Sequence, residues 1–193
     1  LPNLRYISVL NYDSRHNLTA NIDYRYNQDE GPIVGSHHIL QNAGLNLIFR
    51  AKSGEPYTRY LDPDNVSHVV IGGVNGSRLP WHYGVDLKVD KDFALTSMKR
   101  LKDATQGVKP KKPLYLNVFV YVQNLLNTRD ILGVWGYTSR PGNDGYITSS
   151  FGQQAVPQQV DPAAYTDLYN YSVDNPNNLN WARTINLGVQ FDF

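Results

Sequence analysis

Apolar and polar residues alternate one for one along several stretches of this chain, and the last stretch is the cleanest. Ile185, Leu187, Val189, Phe191 and Phe193 alternate with Thr184, Asn186, Gly188, Gln190 and Asp192. A period of two puts one set on each face of a β-strand. About six segments carry this pattern, the mark of half-covered strands. Residues 4–10 form a weaker one. Residues 15–26 follow, with Leu18, Ala20, Ile22, Tyr24 and Tyr26 opposed by Thr19, Asn21, Asp23 and Arg25. In residues 41–52, Leu45, Leu47, Phe49 and Ala51 oppose Asn46 and Arg50, with Ile48 on the polar side. In residues 82–93, Tyr83, Val85, Leu87 and Val89 oppose Gly84, Asp86, Lys88 and Asp90. In residues 114–124, Leu116, Val118, Val120 and Val122 oppose Asn117 and Gln123, with Phe119 and Tyr121 also on the second face. Several segments reach the ~9–11 residues a tilted membrane-crossing strand needs, whereas soluble strands more often stop near ~5–6. No segment reads as a convincing helix; residues 99–105 are the one weak candidate, and too short to stand alone.

The connections tend to alternate in size. Counted back from the C-terminus they are residues 128–180 (very long), 94–113 (moderate), 53–81 (long), 27–40, and a tight turn at 11–14 that breaks the pattern. Outer-membrane barrels carry long loops outside and short turns in the periplasm. Residues 53–81 and 128–180 are then expected to be extracellular, and the basic stretch of Lys99, Arg100, Lys102, Lys109, Lys111 and Lys112 periplasmic. A connection as long as 128–180 without structure of its own counts against a compact soluble domain.

Composition narrows the class. No stretch approaches the ~18 consecutive apolar residues of a transmembrane helix. A mean hydropathy of -0.45 does not bear on a barrel, whose alternating strands average to a modest value. The 14 Tyr and 3 Trp suit the aromatic girdles of a membrane interface. The chain has no Cys, so disulfide scaffolds and thiolate metal sites are excluded. A net charge of +1 argues against nucleic acid as a partner. The chain opens Leu1-Pro-Asn with neither an initiator Met nor a signal peptide, and a membrane barrel of this class needs at least about eight strands. Residues 1–193 are therefore expected to be the C-terminal segment of a larger outer-membrane β-barrel domain, its plug and earlier strands lying outside this sequence.

Asn117-Val-Phe-Val-Tyr-Val-Gln-Asn-Leu-Leu-Asn127 resembles the penultimate strand of TonB-dependent outer-membrane receptors, which ends in an Asn-Leu-Phe-Asn-like turn. Leu126 stands where that family usually has Phe. Asp13-Ser-Arg-His16, Gly54-Glu-Pro-Tyr-Thr58, Gly76-Ser-Arg-Leu-Pro-Trp81 and Tyr83-Gly-Val-Asp-Leu-Lys-Val-Asp-Lys-Asp-Phe93 are similar to the same family, in its order. Ile185, Leu187, Val189, Phe191 and Phe193 look like the C-terminal signature read by its barrel-assembly machinery. The resemblance implies an antiparallel transmembrane β-barrel of about twenty-two strands, of which this chain supplies the last few. It implies a Gram-negative outer membrane, with outer-membrane lipid, the rest of the barrel, a plug, and TonB (through an N-terminal part) as partners. A surface lipoprotein or other subunits of an outer-membrane complex could join them. The implied activity is energy-coupled uptake of a siderophore, glycan or peptide.

Candidate ligand residues are the loop aromatics and arginine Trp135, Tyr137, Arg140, Tyr146, Phe151, Tyr165, Tyr169 and Tyr171. Among Asn, Gln and Gly, they can stack on a ligand and hydrogen-bond adaptably, or pack the loop on itself. Asp62-Pro-Asp-Asn65 offers oxygens for calcium but lacks EF-hand spacing, and reads better as a turn. Asp161-Pro162 and Asp174-Asn-Pro176 also read as turns. His37 and His38 are adjacent, so a strand would point them apart, which makes a poor metal site. No metal site, cofactor or catalytic constellation is expected: there is no Gly-x-Ser-x-Gly, metalloprotease helix or P-loop. Two other readings stay open. One is a barrel of the same ancestry that serves as a structural or interaction subunit of an outer-membrane assembly or export complex. The other is a soluble β-sandwich binding module.

Overall fold

The computed structural model describes residues 7–63, 66–95 and 114–192. Strand makes up 39% and helix 14%, so the class is all-β. The elements run β1 (Asn17–Arg25), β2 (Ile33–Val34), β3 (His37–His38), β4 (Ala43–Lys52), β5 (Pro56–Tyr57), β6 (Arg59–Tyr60), β7 (Val70–Ile71), β8 (Ser77–Arg78), β9 (His82–Ala94), β10 (Tyr115–Gln123), α1 (Ser150–Ala155), α2 (Pro162–Val173) and β11 (Thr184–Asp192). Five strands form one sheet in the order β1-β4-β9-β10-β11, each beside the long strand next to it in sequence. Among the described residues this sheet stays open, with β1 and β11 as its edges.

The five long strands form where alternation predicts them, β9 running one residue past its segment to Ala94. The expected strand at 4–10 does not form over residues 7–10; residues 1–6 lie outside the described residues. Ile7 and Leu10 are exposed there, and Leu10 instead starts a turn whose carbonyl accepts from Asp13 N at 3.0 Å. The weak helix candidate at 99–105, the basic stretch and Phe193 also lie outside the described residues.

The chain divides into two compact units. The first comprises Leu1–Leu18, Ala51–Tyr83 and Arg129–Trp181, and the second Thr19–Arg50, Gly84–Thr128 and Ala182–Phe193.

In the second unit, register gathers apolar residues on one face of the sheet and polar residues on the other. β10 pairs β11 through Leu116↔Phe191, Val118↔Val189, Val120↔Leu187 and Val122↔Ile185. It pairs β9 through Leu116↔Phe93, Val120↔Val89 and Val122↔Leu87. Opposed residues in an antiparallel pair share a face, so these rows make one apolar surface. It is left uncovered: Leu187 is 73% exposed and Val189 56%. Lys91 breaks the row opposite Val118. Its Nζ donates to the Ile39 carbonyl and lies 5.4 Å from the Phe93 ring centre, so the stem covers apolar surface while the charge finds partners.

The other face is a polar network. Arg25 Nη2 lies 2.6 Å from Asp90 Oδ2, and Arg25 Nη1 lies 3.3 Å from Asp92 Oδ2. Asn117 Nδ2 donates to both aspartates, at 3.3 and 2.5 Å. Arg50 pairs with Asp86, which also accepts from Asn124 N at 2.9 Å. Asn46 Nδ2 donates to Asn21 and Asp23 at 2.9 and 3.0 Å. Asp86 and Asp90 are buried, and such charges persist only when paired. Phe119 is, with Ile48, an apolar exception on this face. Phe119 stands opposite Gly188, where an added Cβ would fall 2.2 Å from the ring, so glycine is what lets the ring lie flat.

The first unit holds the short ladders β5–β8 and β6–β7. Arg78 ties it together, pairing with Asp13 and donating to the Gly54 carbonyl at 3.2 Å. The long connection is pinned where it starts and finishes. Asn180 N donates to Asp130 O at 3.0 Å, and Ile131 bridges Leu179.

Candidate functional site

The 128–180 connection is not the helix-free loop that the sequence predicts. Two α-helices form in it, and each start is capped. Ser149 Oγ accepts from Gly152 N at 3.2 Å ahead of α1. Asp161 Oδ1 accepts from Ala163 N and Ala164 N at 3.1 and 3.0 Å ahead of α2, with Pro162 in the first turn. Asp-Pro-Ala-Ala is a helix-start signal: an N-cap acceptor, a proline that needs no donor, then the best helix formers. The signal was present and reads as a turn only if Asp161-Pro162 is taken by itself. Asn175 does make turn chemistry, its Oδ1 accepting from Asn177 N at 3.0 Å.

α2 carries Tyr165, Tyr169 and Val173 four residues apart on one stripe. Tyr169 is the centre of the first unit's aromatic cluster, 5.1 Å from Tyr146 and 5.9 Å from Tyr165, ring centre to ring centre. Its hydroxyl donates to Asp144 Oδ2 at 2.5 Å, and Asp144 is only 3% exposed. Burial first, then that hydrogen bond, raises the Tyr169 phenol above the ordinary tyrosine range. Trp135 pins the cluster's other side, its Nε1 donating to Val173 O at 3.1 Å. The same residue closes a turn in which its N donates to Arg140 O at 3.0 Å. Tyr137 lies beside Gly145, where an added Cβ would meet its ring at 2.8 Å.

The eight expected ligand residues therefore separate by role. Trp135, Tyr137, Tyr165 and Tyr169 pack the loop. Arg140 and Tyr171 are exposed and lie apart from the cluster's ring contacts. Tyr146 and Phe151 line a cleft of about 410 Å³ with Val66, Gln154, Ala155 and Gln158. Sequence reading missed those last four residues, because Gln154, Ala155 and Gln158 come together only once α1 and the 3-10 turn Val156–Gln158 exist.

The other chemical candidates resolve simply. Asp62 Oδ2 accepts from Ser67 Oγ at 2.7 Å, as a turn would; Asp64 and Asn65 lie outside the described residues. His38 Nδ1 is 3.0 Å from Gly31 O, and His37 is exposed beside it. Both line a larger cleft of about 600 Å³ in the second unit, with Gln28, Asp29, Lys91 and Tyr115 among its other walls. Among the described residues no three His, Asp or Glu side chains gather as a metal site. No helix among them is long and apolar enough to cross a membrane, which says nothing about strands. Comparison of this chain with family models, with curated proteins and with solved structures finds no match.

Proposed function

We propose that this chain is part of the wall of an outer-membrane β-barrel of the TonB-dependent receptor kind, acting in energy-coupled uptake of a nutrient. One observation carries the reading. Five antiparallel strands in sequence order present an exposed apolar face, broken at Lys91, and keep a paired, charged network on the other. In water each exposed large apolar side chain forfeits about 1.5–3 kcal/mol of burial. Against lipid the same face costs nothing, and a polar lumen suits the network of Arg25, Arg50, Asp86, Asp90 and Asp92.

Two further features support it. Among the described residues the buried apolar side chains are Ala51, Leu79 and Val173 with Pro56 and Pro63, too few for a chain that must hide a core from water. Each unit also exposes aromatics of the interfacial kind: Trp81 stacks between His16 at 5.8 Å and Tyr83 at 6.2 Å in the first, and Phe93 and Phe191 close the apolar rows of the second. In this reading the remaining strands, the plug and the TonB-contacting segment are supplied by the rest of the receptor.

Membrane fractionation tests it. The parent protein should pellet with outer membranes and leave them only with detergent, at a mass several times 21.9 kDa. Recovery without detergent at close to that mass would overturn the reading and leave a soluble β module.

A further inference from the structure

The cleft beside α1 says what kind of ligand it takes. Phe151, Gln154, Ala155 and Gln158 follow one another at the spacing that shares one face of a helix. That face offers an aromatic ring, two carboxamides and an alanine whose small side chain leaves space. Tyr146 and Val66 complete the lining. Gly152 sets how closely the helix approaches: an added Cβ there would fall 2.1 Å from Tyr146 O, a backbone atom that cannot step aside. The Ser149 cap and Gly152 together seat α1 against Tyr146, so the wall is built before any ligand arrives.

Among the described residues the lining contains no Lys, Arg, His, Asp or Glu. An anionic or cationic ligand entering it would lose hydration without gaining a counter-charge. A neutral ligand rich in hydroxyls meets what is present. Carboxamides donate and accept at once, as paired hydroxyls require. Aromatic faces carry partial negative charge that attracts the C–H edges of a sugar ring. The volume of about 410 Å³ lies within the range of small-ligand sites. None of the described lining residues lies in a strand, so an extended peptide would find no backbone ladder among them to join.

We propose that this cleft binds a neutral oligosaccharide. The proposal rests on the receptor reading for its biological role, as the nutrient-recognition site; the binding itself does not need that reading. The test is calorimetric titration of the full chain, held in a detergent without a sugar head group. Probes are neutral glucan, xylan and mannan oligosaccharides, an oligogalacturonate, a neutral peptide blocked at both ends and an iron-loaded hydroxamate siderophore. At least one neutral oligosaccharide should bind. Phe151→Ala should weaken it by about tenfold, the equivalent of one lost stacking contact, and Gln154→Ala should weaken it less. Tyr171→Ala, on the exposed side of α2, should leave it unchanged. Phe151 is itself 45% exposed, so its removal spares the fold, and an unchanged melting curve checks this. Failure of every neutral oligosaccharide to bind, or binding indifferent to Phe151→Ala and Gln154→Ala, would overturn the proposal. Preference for the peptide, the siderophore or the anionic sugar would overturn it too, and would reassign the class. Sugar binding that needs Phe151 in a chain recovered without detergent would uphold the cleft while removing the receptor reading.

Discussion

Asn124 and Asn127 hold backbone that few side chains tolerate, at φ of 52° and 53°. Asparagine accepts this left-handed region because its short amide can bond locally. Asn124 Oδ1 takes Thr128 N at 3.0 Å, and Asn127 Oδ1 takes Arg183 N at 3.0 Å. The Asn-Leu-Leu-Asn turn therefore ends β10 and ties it to the start of β11, which the motif alone could not show. Asn127→Ala should cost about 1–2 kcal/mol, combining left-handed strain with a lost hydrogen bond, and Asn127→Gly should cost less. Thermal melts decide this, and equal losses would reject the strain argument. Tyr169 gives a second residue-scale outcome. Its folded pKa lies above the unfolded value, so the stabilisation is whole below about pH 10 and drains away as pH rises through the folded value. Ultraviolet titration should show one phenol ionising after the others, and Tyr169→Phe should abolish that late step. A late step surviving in the variant would place it elsewhere.

The long strands obey the alternation, and the two-residue ladders form without it. β4, β9, β10 and β11 sit where a period of two places them, because register with a neighbour rewards that pattern across a whole face. Residues 7–10 carry a weaker form of it and gain no ladder among the described residues. α1 and α2 escaped notice for the opposite reason. Their periodicity is diluted by Gly, Gln and Asn, and their starts rest on caps rather than on an apolar stripe. The facing of β10 makes a sharp contrast. Val120 sits in the exposed apolar row, whereas Asn117 lies beside Asp90 and Asp92. Under the barrel reading, Val120→Arg should destabilise by about 2–4 kcal/mol at mid-membrane depth. Asn117→Arg should be milder, since two carboxylates await the new charge. Unfolding in detergent or lipid would compare them, and equal costs would refute the assigned facing.

At the scale of the molecule, the described residues form an all-β sheet with a thin buried core and two unpaired edges. β1 and β11 each run for nine residues, and β1 is exposed throughout. Long flat edges of this kind invite pairing and are a hazard in water. A barrel removes the hazard by closing, since every backbone group then finds a partner within the wall. If β11 pairs with a further strand of the same wall, a proline at Leu187 should block assembly, whereas a proline at exposed Leu168 would act only on α2. Heat-modifiable migration of the parent protein on gels is the readout. Assembly unaffected by the Leu187 change would show that this edge stays unpaired.

The order of residues was enough to determine the five long strands, their two-faced character and the turn asparagines. Each depends on neighbours close in sequence or on a pattern that repeats along one strand. What only the tertiary structure decided are the features made by residues far apart in the chain. Register placed Lys91 in the apolar row and set Phe119 over Gly188. Folding buried Asp144 under Tyr169, and brought Tyr146 to the face of α1 and the turn after it that carries Phe151, Gln154 and Gln158. These contacts depend on where segments meet in space, and residue spacing along the chain carries no record of such meetings.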